Sequence, residues 1–184
     1  LQSEYPFLRH AFLSALERSG ATTRKSGWVP QHLLLEDEGR LIGHLPLFLK
    51  FHSYGEYVFD WSWADAYRRN GLDYYPKLLS AIPYTPATGP RLSVLPAMDS
   101  QALRSRVLSE LQARCAGQAS SLHILFPAAS ELPGWQGASQ RVAAQFHWFN
   151  QDYADFEAFL AGFSSRKRKS LRRERRRVQP RRRG

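Results

Sequence analysis

Two carboxylates, Glu56 and Asp60, sit inside the aromatic run Tyr54-Gly55-Glu56-Tyr57-Val58-Phe59-Asp60-Trp61-Ser62-Trp63-Ala64-Asp65. A carboxylate walled by rings loses solvation, holds its proton more tightly and can act as a general base toward an amine or hydroxyl. Glu56 and Asp60 are therefore the candidate catalytic pair. The alternation predicts a strand over 56–63, with Tyr57, Phe59, Trp61 and Trp63 on one face and Glu56, Val58, Asp60 and Ser62 on the other. On a strand, residues four apart are separated by about 13 Å. A glycosidase pair needs about 5–9.5 Å, so one acid would act alone. Asp60, flanked by Phe59 and Trp61, is the one whose pKa burial would raise. Read as a cleft wall, the segment offers Tyr54, Gly55, Trp61, Trp63 and Asp65 to a substrate. Read blandly, it is a core strand with a solvated polar face.

The second chemical feature is charge. The chain has 184 residues and a net charge of +10. Residues 166–183 contribute twelve basic side chains and a single acid, Glu174, so that segment is +11 and the remainder is −1. A nearly neutral body with one cationic end excludes a uniformly basic coat protein, and 43% hydrophobic content excludes a fully disordered chain. Arg168/Arg172, Lys169/Arg173, Arg172/Arg176 and Arg173/Arg177 are like-charge i,i+4 pairs, each destabilising a helix by a few tenths of a kcal/mol. The segment is expected to be helical or disordered, and a polyanion would order it. Nucleic acid, an anionic membrane surface and a diphosphate all qualify. Arg166, Arg168, Arg172 and Arg173 are the candidate phosphate-binding residues.

Other chemistry lacks a signature. There is no Walker A sequence, no G-x-G-x-x-G, no G-x-S-x-G and no H-E-x-x-H, and the six histidines are scattered, so no metal site is expected. The single cysteine, Cys115, lies on an apolar helical stripe and reads as a packed thiol. One cysteine, no signal-peptide pattern and no membrane-spanning run point to the cytoplasm. The chain begins at Leu1, and its one methionine is Met98, which suggests a fragment.

The positioning elements follow from periodicity. Helical spacing covers 6–19. Residues 31–50 read as a hairpin of strands His32–Leu35 and Leu41–Lys50, with a bulge or edge at Pro46. After the 56–63 strand, Leu72 to Ile82 reads as a helix with Pro76 in its first turn. A strand over 91–95, a helix over 100–116, strands over 122–126 and 143–149, and a helix capped by Asp152 complete the series. Interleaved helices and strands argue for a mixed α/β sheet flanked by helices.

Several stretches resemble a bacterial FemAB-like family: Pro6 to Leu13, Gly27 to Leu33, His52 to Tyr67, Tyr74 to Leu79, Pro86 to Leu92 and Gln145 to Trp148, with Ser164 to Val178 similar to that family's basic stretch. The family is labelled as GNAT-type N-acyltransferases or peptidoglycan biosynthesis/recognition proteins. The resemblance implies a GNAT-like N-terminal domain over 1–164 and an Arg/Lys-rich connector over 165–184, with a second GNAT-like domain missing. It implies acyl or aminoacyl transfer to an amine, with a cell-wall precursor as acceptor. Acyl-CoA or aminoacyl-tRNA would be the donor, and backbone N–H groups near 52–65 would polarise the acyl carbonyl. The pyrophosphate loop of GNAT enzymes is absent, which argues against an acetyl-CoA site in this half, and no cofactor is expected there. The alternatives are a polyanion- or RNA-binding module without catalysis and an inactive truncated fragment.

Overall fold

The structure, a computed structural model, describes residues 3–178. It divides into two compact units, Leu1–Ser139 and Gln140–Gly184.

The first unit holds two sheets. The chain enters through a 3-10 turn, Pro6–Leu8, and helix α1, His10–Arg18. Arg9 between them is extended, so the helix expected over 6–19 is two pieces. Strand β1, Trp28–Pro30, is followed by the hairpin of β2, Leu33–Asp37, and β3, Arg40–Leu45. Glu38 and Gly39 both have positive φ, the mirror-image turn whose twist matches that of the paired strands. β6, Ser93–Val94, joins β3 to make a three-stranded antiparallel sheet. Pro46 marks the point where the chain changes sheets. The strand expected over 41–50 therefore splits, and β4, Phe48–Lys50, pairs with β1 and with β5, Lys77–Ser80. β7, Leu122–Ile124, lies parallel to β5, so the four-stranded sheet β1-β4-β5-β7 is mixed.

Both faces of this sheet are covered. One core cluster joins Leu45, Leu47 and Leu78 to Val107, Leu108 and Leu111 of α3, Ser100–Gln118, and to Trp135 of the 3-10 helix Ala129–Trp135. Asp99 caps α3 by accepting from the N–H groups of Gln101 and Ala102. Cys115 packs against this cluster, as expected. A second cluster on the other face joins Trp28, Phe48, Leu79 and Ala81. The molecule is thus α/β, with a mixed sheet flanked by helices.

Two expectations fail in this unit. Residues 72–82 contain β5, Lys77–Ser80, and no helix. All four of its residues are buried, and a short run buried on both faces has no periodicity to separate strand from helix. Tyr75, preceding Pro76, is also biased toward extended backbone. Residues 56–63 are not a strand either. They are the end of a loop and the start of α2, Trp61–Arg69. Asp65 pairs with Arg68 and Arg69 along this helix, the two arginines sit at its negative end, and Gly71 with φ 71° follows its close.

The second unit contains α4, Phe156–Ala161, and α5, Ser165–Val178. Asp155, not Asp152, caps α4, accepting from the Ala158 N–H at 2.7 Å. The strand expected over 143–149 does not form: no described strand pairs with it, and Phe146 is fully exposed. The basic segment is helical to Val178. Among the described residues no helix is long and apolar enough to cross a membrane.

Candidate functional site

The site is built on the register of β4 and β5. Lys50 and Lys77 are direct cross-strand partners. Like charges in that position repel, and both side chains are buried. Carboxylates must therefore reach them, and the loop after β4 supplies two. Ser53, Glu56 and Asp60 are its buried residues, while Tyr54, Tyr57 and Phe59 face outward. The loop can lie this close because of Gly55. Its φ is 80°, and a Cβ there would fall 2.7 Å from the ring of Tyr84, whose N–H donates to the Gly55 carbonyl.

Lys77 Nζ directs its three N–H groups to Ser53 Oγ at 2.9 Å, Glu56 Oε2 at 2.8 Å and Asp60 Oδ2. Tyr74 Oη also donates to Asp60 Oδ2, at 2.7 Å, and Ser53 Oγ meets Tyr75 Oη at the same distance. Lys50 Nζ lies 3.8 Å above the Trp28 ring, donates to the Tyr54 carbonyl at 3.1 Å and stands 3.9 Å from Glu56 Oε1. The two carboxylates thus converge on one ammonium. The strand geometry that would have held them about 13 Å apart does not exist, because three residues of the loop, Ser53, Glu56 and Asp60, wrap around Lys77 instead.

Two oxygens in this cluster, Glu56 Oε1 and Asp60 Oδ1, have no hydrogen-bond partner. Their basicities diverge. Burial pushes the Glu56 carboxyl up, and Lys77 only partly offsets this. Burial also acts to raise Asp60, but the hydrogen bonds from Lys77, Ser53 and Tyr74 outweigh it and leave the carboxyl below its usual range. Burial lowers Lys50 to about 7 despite the attraction of Glu56. Tyr74 is raised, first by burial and then by Asp60.

The same loop and the first turn of α2 carry exposed aromatic side chains. Tyr54 is 67% exposed, its ring centroid is 5.3 Å from that of Trp61, and its other neighbour is His52. Trp61 and Trp63 are both exposed on the first turn of α2. Gly55 packs against Tyr84 and Trp28. Asp65 is turned to Arg68 and Arg69 rather than to the cluster, and those arginines, Arg68 first, hold its carboxyl low. The four predicted phosphate-binding arginines are on α5, in the other unit. Arg168 bonds Ser165 Oγ, Arg172 pairs with Glu157, and Arg166 and Arg173 are exposed.

Lys50, Ser53, Tyr74 and Lys77 are the residues that sequence reasoning missed. Their signal was a lysine inside an apolar run, Leu47-Phe48-Leu49-Lys50-Phe51 and Tyr74-Tyr75-Pro76-Lys77-Leu78-Leu79. A charge so placed is buried and must find a counter-charge.

Comparison with known proteins bears on the whole chain. A family model named FemAB-like and described as peptidoglycan biosynthesis/recognition matches residues 1–182. No curated protein and no solved structure matches. The match spans both the ion cluster with its aromatic surface and the basic helix, as the resemblance of the same segments implied, and the chain belongs to the FemAB-like family of peptidoglycan biosynthesis/recognition proteins.

Proposed function

We propose that this chain is the N-terminal, GNAT-like part of an acyltransferase that moves an acyl or aminoacyl group onto an amine of a peptidoglycan precursor. The observation that carries the reading is the Lys77 cluster: two buried carboxylates share one ammonium, and each keeps an oxygen without a hydrogen bond, within a segment whose aromatic side chains are exposed. In the transfer, the amine attacks the acyl carbonyl, its proton leaves to a base, and the thiol of acyl-CoA or the ribose hydroxyl of aminoacyl-tRNA departs. Glu56 is the better base, because burial raises its carboxyl. Asp60 stays charged at neutral pH and orients Lys77 and Tyr74. Tyr54, Trp61 and Trp63 stack on the acceptor, with Gly55 shaping the loop below them and Asp65 at the rim. Arg166, Arg168, Arg172 and Arg173 bind phosphate of the donor or acceptor, and a second GNAT-like domain beyond the basic segment completes the enzyme in the cytoplasm.

Mass spectrometry of a lysine-containing muropeptide incubated with the protein and each donor tests this. An acyl mass increment that falls at least tenfold in Glu56→Gln is the expected result. No increment with either donor, or full transfer by Glu56→Gln, overturns the assignment. The favoured alternative is a polyanion-binding module, supported by the exposed cations of α5.

A further inference from the structure

α5 has two unlike faces. Toward α4 it places Arg172, paired with Glu157, and Arg175, whose guanidinium lies 4.0 Å from the centre of the Phe156 ring. Arg168 and Leu171 are half-buried on the same side. At 3.6 residues per turn, Arg166, Lys169, Arg173, Arg176 and Arg177 fall within an arc of about 100° on the opposite side. All five are exposed, and none has an ion-pair partner among the described residues. From Arg166 to Arg177 the stripe runs about 16 Å along the axis.

Arg172 and Arg175 each have a partner on α4, though both stay exposed, and apart from Lys167 the remaining cations of the helix point one way. That geometry discriminates among polyanions. A single diphosphate engages one or two neighbouring cations, not a row of this length. A membrane-binding helix buries an apolar face in the lipid, opposite its basic one. Here Val178 is the exposed apolar residue of the helix, at its very end. A row of phosphates at regular spacing uses every member of the stripe.

We propose that Arg166, Lys169, Arg173, Arg176 and Arg177 form a binding surface for the phosphodiester backbone of a nucleic-acid strand, read by charge and spacing rather than by base. The proposal deepens the phosphate-binding role assigned to this segment. It is tested without turnover, so its failure and that of the transfer reading are separable. It also moves the weight from Arg168 and Arg172, which are occupied within the unit, to Lys169, Arg176 and Arg177.

The test uses the full chain and a fluorescein-labelled 20-nucleotide RNA, followed by anisotropy across a salt series. Five neutralised phosphates on a single strand give a slope of log K against log salt near −3.5, about a hundredfold loss between 50 and 200 mM. Arg173→Ala with Arg176→Ala is expected to flatten that slope by about 1.4, with the far-UV circular dichroism unchanged. Arg175→Ala, which removes a cation from the side facing Phe156, is expected to leave the slope within about half a unit of wild type. Labelled duplex DNA of the same length should also bind, with a steeper slope near −4.5 for the same five phosphates, because only the backbone is read. The proposal is overturned if the double variant binds as wild type, if Arg175→Ala matches the double variant, or if phosphatidylglycerol vesicles bind the protein while RNA does not.

Discussion

The first unit buries two charge networks, and they are built to opposite rules. In one, Arg91 spends its guanidinium on the carbonyls of Ala87, Gly89, Pro90 and Leu125, while Glu131 accepts from the N–H groups of Arg91 and Leu92 and from Arg104 Nε. Both Glu131 oxygens are used. This network staples the 3-10 helix to the segment before β6. In the other, Lys77 is saturated but Glu56 and Asp60 are not, and Lys50 is buried with an aromatic face and a carbonyl for company. A buried polar network is most stable when every member is satisfied. The Lys77 cluster departs from that rule within a ten-residue stretch, 54–63, whose five large aromatic side chains stand exposed. The contrast separates a structural fastening from a candidate site.

The largest test of the contrast is Lys77→Met. It leaves two buried carboxylates without a counter-ion, and a loss of about 3–5 kcal/mol in urea unfolding is expected. Lys77→Arg should not restore it, since a guanidinium cannot reproduce three convergent N–H donors. Loss below about 1 kcal/mol would mean that the cluster is not the fastening of the 53–60 loop.

Glu131→Gln comes next. An amide in place of the carboxylate sets N–H against N–H at Arg91 or Leu92, and a loss of about 2–3 kcal/mol is expected. Unlike changes at Lys77 or Asp60, it should leave the fluorescence and ligand response of Trp61 and Trp63 as in wild type.

Lys50 gives a smaller effect with a distinctive pH dependence. Burial holds its folded-state value near 7, against an ordinary 10.5. Between those limits the unfolded chain binds more protons than the folded one, so stability rises with pH from about 7 upward. The burden on folding is fully present below that window. Lys50→Met should remove the rise and change stability at pH 7 by no more than about 1 kcal/mol. An equally steep rise in the variant would assign the titration elsewhere. Glu56 runs the other way: its raised carboxyl adds stability below its ordinary value of 4.5, lost as pH climbs through the folded value. The smallest effect belongs to the surface. Trp61→Ala and Trp63→Ala should each shift unfolding by less than about 0.5 kcal/mol while weakening muropeptide binding.

Which parts of this contrast could be read from sequence depends on what each signal measured. The strand expected over 122–126, which forms at Leu122–Ile124, the helix expected over 100–116 and the hairpin of β2 and β3 declared themselves because apolar pattern and turn residues agreed there. Glu56 and Asp60 were visible as chemistry but not as neighbours. The alternation of Tyr57, Phe59, Trp61 and Trp63 has the period of a strand, yet those side chains are exposed and have no sheet to face. The helix signal was present in weaker form, as Asp65 four residues before Arg69 and the Asn70-Gly71 stop. Lys77 was hidden because β5 is buried on both faces, where apolar period carries no information. Cross-strand register, which sets Lys50 opposite Lys77, is a property of the pairing and cannot be read from either run alone.

The central claim is that the Lys77 cluster positions the aromatic surface for a ligand and the Glu131 network does not. Titration of tryptophan fluorescence with a lysine-containing muropeptide, in wild type, Asp60→Asn and Glu131→Gln at a temperature where all three are folded, tests it most directly. The account predicts at least tenfold weaker binding in Asp60→Asn and wild-type binding in Glu131→Gln. Equal affinities in all three proteins, or the loss in Glu131→Gln alone, would contradict it.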